Sequence, residues 1–172
     1  NVLSLAGDDS NLFEIVNSKL YLKAGTKLDF ESESVFHVRV NIDDPEIGAN
    51  PDASVAVIVE ISDANDAPVA TGFTTNVPGN AFQGTLLGTV TGQDEDQGQT
   101  LSYSITAGND LGIFAIGGTS GAVTVANAAA LSRNDGTTQR LTITVSDNGV
   151  PLRTGTSEVT ITIEKAPVTL SV

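Results

Sequence analysis

The sequence predicts an all-β chain folded as two tandem Greek-key β-sandwiches, the first of them incomplete. Three observations carry that prediction. Apolar residues alternate with Thr, Ser and other polar groups at a period of two rather than the roughly 3.6 of a helix. Gly, Asn, Asp and Pro punctuate the alternating runs at short intervals, as in sandwiches of short strands. The sequence also repeats itself after about 100 residues, so one structural unit occurs twice.

In the first half, Phe36, Val38, Val40 and Ile42 form one alternating run, and Val55, Val57, Val59 and Ile61 form another. The second half repeats the pattern with Leu141, Ile143 and Val145, then with Val159, Ile161 and Ile163. Turn signals lie between such runs: Gly117-Gly118-Thr119-Ser120-Gly121, which reads as a hairpin, Asn134-Asp135-Gly136, and Asn148-Gly149 before Pro151. Residues 126–131 are Ala-rich and fit either a helical turn or a plain connection.

Several segments recur. Ala6-Gly7-Asp8-Asp9 with Phe13-x-Ile15 returns as Ala107-Gly108-Asn109-Asp110 with Phe114-x-Ile116. Leu28-Asp29-Phe30-Glu31 returns as Leu131-Ser132-Arg133-Asn134, and the strand ending at Ile61 returns at Ile163. The boundary falls at Asp63-Ala64-Asn65-Asp66-Ala67-Pro68, where Pro stops ladder pairing and the Asx cluster favours turns. The expected domains are 1–66 and 67–165, with 166–172 as a linker or the start of a following strand. Residues 1–5 align with 101–105, so the segment 68–100 has no counterpart before Asn1. The first domain is therefore expected to lack its first two strands and not to bury a complete core unaided. The tail Ala166-Pro167-Val168-Thr169-Leu170-Ser171-Val172 alternates again. It reads either as a following domain's first strand or as a strand pairing with the open edge of another molecule's first domain.

Composition excludes several functions. The 172 residues hold 21 Asp plus Glu against 8 Lys plus Arg, a net charge of −13, one His, and no Cys, Met or Trp. Nucleic acid and anionic membranes would be approached against repulsion. Without Cys there are no disulfides, zinc-thiolate sites or thiol nucleophiles. His37 lies on the polar side of an alternating strand and reads as an exposed strand residue. No G-x-S-x-G turn is present, and the 117–121 loop lacks the Lys of a phosphate loop. Paired carboxylates suit a glycosidase only where one acid has a raised pKa. No apolar run approaches the roughly 18 residues of a membrane span, so no transmembrane segment is expected. The start at Asn1 without a basic-then-apolar leader reads as a fragment of a longer, processed protein. Of Tyr21, Tyr103 and the six Phe, most sit at alternating positions and are assigned to the core. The lack of an N-x-Ser/Thr sequon leans toward a bacterial source.

The acid is not spread evenly. Asp29-x-Glu31 follows a strand pair, Asp63-x-Asn65-Asp66 forms the linker, Asp94-x-Asp96 precedes Gly98 in a loop, and Asp147 closes a strand. The D-x-D and D-x-N-D spacings put oxygens on one side of an extended segment, a donor set for a hard cation such as calcium. An EF-hand is ruled out, because Gly98 falls one position early and the twelfth position is Ile105 rather than Glu.

Together these residues resemble the cadherin repeat, over nearly the whole chain. The second copy reads Val90-x-x-x-Asp94-x-Asp96-x-Gly98, then Tyr103-Ser104-Ile105, Phe114-x-Ile116, Gly121-x-Val123 and Val145-x-Asp147-x-Gly149-x-Pro151. Leu28-Asp29-Phe30-Glu31 is similar to the family's L-D-R-E, and Asp63-Ala64-Asn65-Asp66-Ala67 to its D-x-N-D-N. The resemblance implies calcium ions enclosed between successive domains. Asp29, Glu31, Asp63, Asp66, Asp94, Asp96 and Asp147 would supply carboxylates and Asn65 its side-chain oxygen. Ala64, Ala67 and a residue near Thr100 would supply backbone carbonyls, while a family Glu early in the first domain would lie before Asn1. At the far end of the second copy three segments depart together. Gly79 stands where the early Glu would be, L-D-R-E has become Leu131-Ser132-Arg133-Asn134, and the exit reads Glu164-Lys165-Ala166-Pro167. Calcium is therefore expected at the junction and not beyond the second copy. Strand exchange through an N-terminal Trp is not assignable, since the chain has none.

The expected function is a calcium-stiffened structural and adhesive segment of an extracellular or cell-surface protein, not an enzyme. Its expected partners are calcium ions with the same protein (homophilic or strand-swapped), another surface protein, or polysaccharide. The alternative is a carbohydrate-binding accessory module of an extracellular polysaccharide-degrading system.

Overall fold

The computed structural model describes residues 1–48 and 50–166. The chain divides into two compact units, Asn1–Ala64 and Asn65–Val172. The expectation of a strand over the tail falls on residues 167–172, outside the described residues.

The first unit contains β1 (Val2–Ala6), a 3-10 turn at Ser10–Leu12, β2 (Phe13–Val16), β3 (Lys19–Leu22), β4 (Val35–Asp43) and β5 (Ala53–Glu60). Strands β2 and β3 form a hairpin whose two loop residues, Asn17 and Ser18, take φ of 49° and 61°. Positive φ at both positions matches the right-handed twist of the flanking strands. The remaining strands make an antiparallel sheet in the order β1-β4-β5, with Val38 opposite Val57 and Phe36 opposite Val59. Phe13, Phe36 and Val38 form its buried core, and the two rings meet edge-on at 6.4 Å. Val55 on β5, on the same face as Val57 and Val59, is 57 % exposed. Among the described residues no strand pairs with the outer edge of β5.

The second unit is a larger sandwich. It contains β6 (Val69–Thr71), β7 (Thr74–Pro78), β8 (Leu86–Thr89), β9 (Thr91–Gln93), β10 (Ser102–Ala107), β11 (Phe114–Ile116), β12 (Ala122–Val125), α1 (Ala128–Arg133), β13 (Thr138–Ser146) and β14 (Thr154–Glu164). One sheet has the order β10-β13-β14-β7 and faces a second of order β11-β12-β8, while β6 pairs with β9. The alternation read from sequence puts Leu141, Ile143 and Val145 of β13 and Val159, Ile161 and Ile163 of β14 into one core, each fully buried. Full burial of each such side chain contributes about 1.5–3 kcal/mol. Strand β7 runs parallel to β14, with Thr74 opposite Thr160 and Pro78 opposite Glu164.

Residues 68–100 hold four short strands, because each extended run is broken where it changes partner. Gly72 lies between β6 and β7, and a Cβ there would overlap the Glu158 carbonyl, so only glycine permits the close approach. The Ala-rich segment resolves as helix: Asn127 caps it by accepting the Ala130 N–H at 3.0 Å, and Leu131 is fully buried. The 117–121 loop is the β11–β12 hairpin, as expected. His37 is exposed. Most of the aromatic residues take core positions, as expected. Phe13, Phe36 and Phe114 are buried, and Phe73 and Tyr103 pack partly, but Tyr21, Phe30 and Phe82 are exposed, Phe82 by 84 %. Phe82 lies in the turn between β7 and β8, where no strand alternation directs a side chain inward.

Candidate metal centre

In the second unit three segments converge at the end of the sandwich where β9 and β13 finish. Asp94 follows β9 directly, and its Oδ1 accepts the Asp96 N–H at 3.1 Å, closing a tight turn that Gly98 continues with φ of 83°. Asp96, 8 % exposed, turns its Oδ2 to the Asp66 N–H at 2.8 Å. Asp147 follows β13 directly and is 3 % exposed. Its Oδ1 accepts the N–H groups of Gly149 and Arg153 at 3.1 and 2.9 Å, and its Oδ2 accepts Asn65 Nδ2 at 2.8 Å. The Thr100 N–H donates to Asn148 Oδ1 at 2.8 Å, tying the Asp94 loop to the Asp147 loop.

The electrostatics of this end are unbalanced. No lysine or arginine forms an ion pair with Asp94, Asp96 or Asp147 among the described residues. Burial pushes the Asp94 carboxyl above the ordinary range, with the charges of Asp96 and Asp147 adding to the effect against the Asp96 N–H bond. Burial would raise Asp147 too, but the Arg153 N–H, the Asn65 amide, the Gly149 N–H and the Arg153 charge together hold it below the usual range. Asp94 Oδ2 and Gln99 Oε1 are buried with no hydrogen-bond partner. A buried polar atom without a partner carries its full desolvation cost, so a structure that keeps two of them beside three carboxylates fits a bound cation. The donors are all oxygens, and the chain has no Cys, which favours a hard cation over zinc.

The structure thus brings together Asn65, Asp66, Asp94, Asp96 and Asp147 in the second unit. Ala67 lines an exposed groove with Asp66, Val69, Gln93, Asp94 and Glu95, and Thr100 enters through its backbone. Asp29, Glu31, Asp63 and Ala64 belong to the first unit and are exposed. There Asp29 organises a turn. Its Oδ2 takes the Ser32 hydroxyl at 2.7 Å, and its Oδ1 takes the N–H groups of Glu31 and Ser32, both at 3.1 Å. The Ser32 hydroxyl, with the Ser32 and Glu31 N–H groups, holds the Asp29 carboxyl below its ordinary value. Sequence reading missed Gln99, whose Nε2 donates to Asn65 Oδ1 at 2.5 Å. No spacing rule points to it; the only signal is its place directly after Gly98.

A family model described as "Cadherin domain" matches residues 73–164, more than half of the chain. Human Protocadherin Fat 4 is 28% identical over 179 residues, covering 95% of this chain and 4% of that protein. Human Protocadherin-1 is 31% identical over 157 residues, covering 87% of this chain and 14% of that protein. Among solved structures, a protocadherin gammaB7 EC3-6 cis-dimer aligns with a TM-score of 0.64 at 26% identity, covering 95% of this chain and 40% of that one. Human Protocadherin-24 EC1-2 aligns with a TM-score of 0.70 at 18% identity, covering 95% and 81%, a likeness of fold alone. The chain therefore spans a small part of the curated relatives it matches.

Proposed function

Because the chain belongs to the cadherin domain family, whose domains are extracellular adhesion modules and not enzymes, we propose that it is a structural segment in which calcium stiffens the junction between two repeats. Cadherin domains bind calcium as a class. In this chain the proposed ligands are the carboxylates of Asp29, Glu31, Asp63, Asp66, Asp94, Asp96 and Asp147, the side-chain oxygen of Asn65, and the carbonyls of Ala64, Ala67 and Thr100. The observation that carries the reading is the buried, unpartnered Oδ2 of Asp94 in a cluster of three carboxylates without a paired base.

A bound cation would supply positive charge beside Asp94 and Asp96, while the Arg153 charge already acts on Asp147. The protein's part is positional. Backbone N–H groups hold Asp147 and Asp94 each by one oxygen; the other oxygen of Asp147 accepts the Asn65 amide, and that of Asp94 has no hydrogen-bond partner, so both are set in fixed directions. Without a cation the gathered carboxylates repel one another and the linker flexes. Calcium held there by ligands from both repeats and the linker would fix the angle. Affinity in the range of extracellular modules, a Kd of about 10⁻⁴ to 10⁻³ M, suffices where calcium is millimolar.

The far end of the second unit is proposed to bind none. Asn134, at the position of an acidic ligand, gives its Nδ2 to the Ala130 carbonyl at 2.8 Å, and Gly79 abuts Asp135 with no room for a side chain. The first unit is read as a repeat without its first two strands, which the free edge of β5 supports. Self-association is the adhesive contact we assign. Small-angle scattering of the chain titrated with calcium tests the reading: the ensemble should narrow and lengthen, and an unchanged profile up to about 10 mM, well above the expected Kd, rejects it.

A further inference from the structure

We infer that Gln99 is a positioning residue of this cation site, an inference that rests on the calcium reading above. An amide side chain has an oxygen end and a nitrogen end, and which end faces a cation decides whether it attracts or repels. Asn65 Nδ2 donates to Asp147 Oδ2 at 2.8 Å, to the Pro151 carbonyl at 3.0 Å and to the Asp66 carbonyl at 3.2 Å. Its Oδ1 receives Gln99 Nε2 at 2.5 Å. Gly149 packs against the same amide so closely that a Cβ there would overlap it. Rotated end for end, Asn65 would set its oxygen against a carboxylate and two carbonyls and its nitrogen against the donor of Gln99. Gln99 is the only donor to Asn65 Oδ1 among the described residues, so it constrains the oxygen end while the three acceptors constrain the nitrogen end, and it leaves that oxygen a second lone pair.

The relay then runs from Gln99 through Asn65 to Asp147, whose other oxygen is fixed by Gly149 and Arg153. A neutral donor suits the place. Lysine or arginine at 99 would orient Asn65 equally well but would compete with the cation, and a carboxylate at 99 has no proton to donate at neutral pH. The partner that orients a ligand is worth about 10- to 100-fold in metal affinity.

The test uses the full chain with Gln99→Met, which keeps the length and removes the amide. Calcium affinity by isothermal titration should fall by about ten-fold or more, and the Asn65 side-chain amide signals should move in ¹H–¹⁵N spectra recorded without calcium. In an Asn65→Asp background, whose side chain has no end to orient, the same substitution should cost less than about two-fold, since the coupling partner is gone. Wild-type affinity in Gln99→Met, or an equal loss in both backgrounds, overturns the inference. If the wild-type chain binds no calcium, the calcium reading falls, and the Asn65 amide signals alone decide whether Gln99 orients it. Gln99→Ala replaces the Met variant if that one does not fold.

Discussion

Asp94→Asn should stabilise the calcium-free protein and abolish most of its response to calcium. Asp94 Oδ1 accepts the Asp96 N–H, a bond asparagine keeps, while Oδ2 is buried, unpartnered and beside the charges of Asp96 and Asp147. Replacing Oδ2 by an NH₂ removes that repulsion and offers a donor to neighbouring carboxylates. An unsatisfied buried group costs about 1–3 kcal/mol, and Asp94 is only half-buried, so the lower bound of about 1 kcal/mol applies. For a domain of about 100 residues that corresponds to a rise in Tm of about 4 °C. The sign follows from linkage. A carboxyl whose folded pKa is raised destabilises the fold at every pH above that value, and the penalty disappears below its unfolded pKa, so it grows as pH rises out of the acid range. Calcium at ten times Kd stabilises the wild type by about 1.4 kcal/mol per site, and the variant has lost a ligand. The two melting curves should therefore cross, the variant higher in EDTA and the wild type higher in calcium. Thermal melts in both buffers measure this. A variant that melts below wild type in EDTA, or that gains as much from calcium, refutes the reasoning.

Two further substitutions probe the same end. Gly149→Ala drives a methyl into the Asn65 amide, and should cost about 1–3 kcal/mol by overpacking together with much of the calcium affinity, read by melting and titration. Asp147→Asn should destabilise the calcium-free protein at pH 7. Because the folded pKa of Asp147 is depressed, its contribution is present above its unfolded value and fades as pH falls through the folded one. The gap between wild type and variant in EDTA melts should therefore close in acid, and a gap that stays constant with pH would show that the loss is steric.

The strands of the second unit were legible because their alternation is strict where it matters: every second residue from Leu141 to Val145 in β13 and from Val159 to Ile163 in β14 is branched and apolar, and each is fully buried. Where alternation fails, so does the reading. The segment from 68 to 80 changes sheets at Gly72, where only glycine fits beside the Glu158 carbonyl, a fact about a neighbour distant in sequence that no local pattern encodes. The Ala-rich segment carried two readings until the Asn127 cap and the burial of Leu131 chose helix. Asp94, Asp96 and Asp147 stood out only in combination, because with Asp29-x-Glu31 and Asp63-x-Asn65-Asp66 they match one set of motifs, whereas each acidic cluster alone reads as a solvated loop. Gln99 did not, since a glutamine after a glycine is unremarkable until its amide is seen against Asn65.

The parallel pairing of β7 with β14 has a mechanical consequence. Tension from the N-terminal side enters the second unit through the short β6 and, once that strand yields, acts on β7, while tension from the C-terminal side acts on β14. The two strands point the same way, so opposed forces slide one along the other. The rungs from Thr74–Thr160 to Pro78–Glu164, with the Gly79 N–H to Glu164 carbonyl bond at 2.8 Å and the Thr160 N–H to Phe73 carbonyl bond at 3.0 Å, bear that load together rather than in succession. An antiparallel pair at the same place would open one rung at a time. The second unit is thus clamped in the direction in which a tether between two surfaces would pull it.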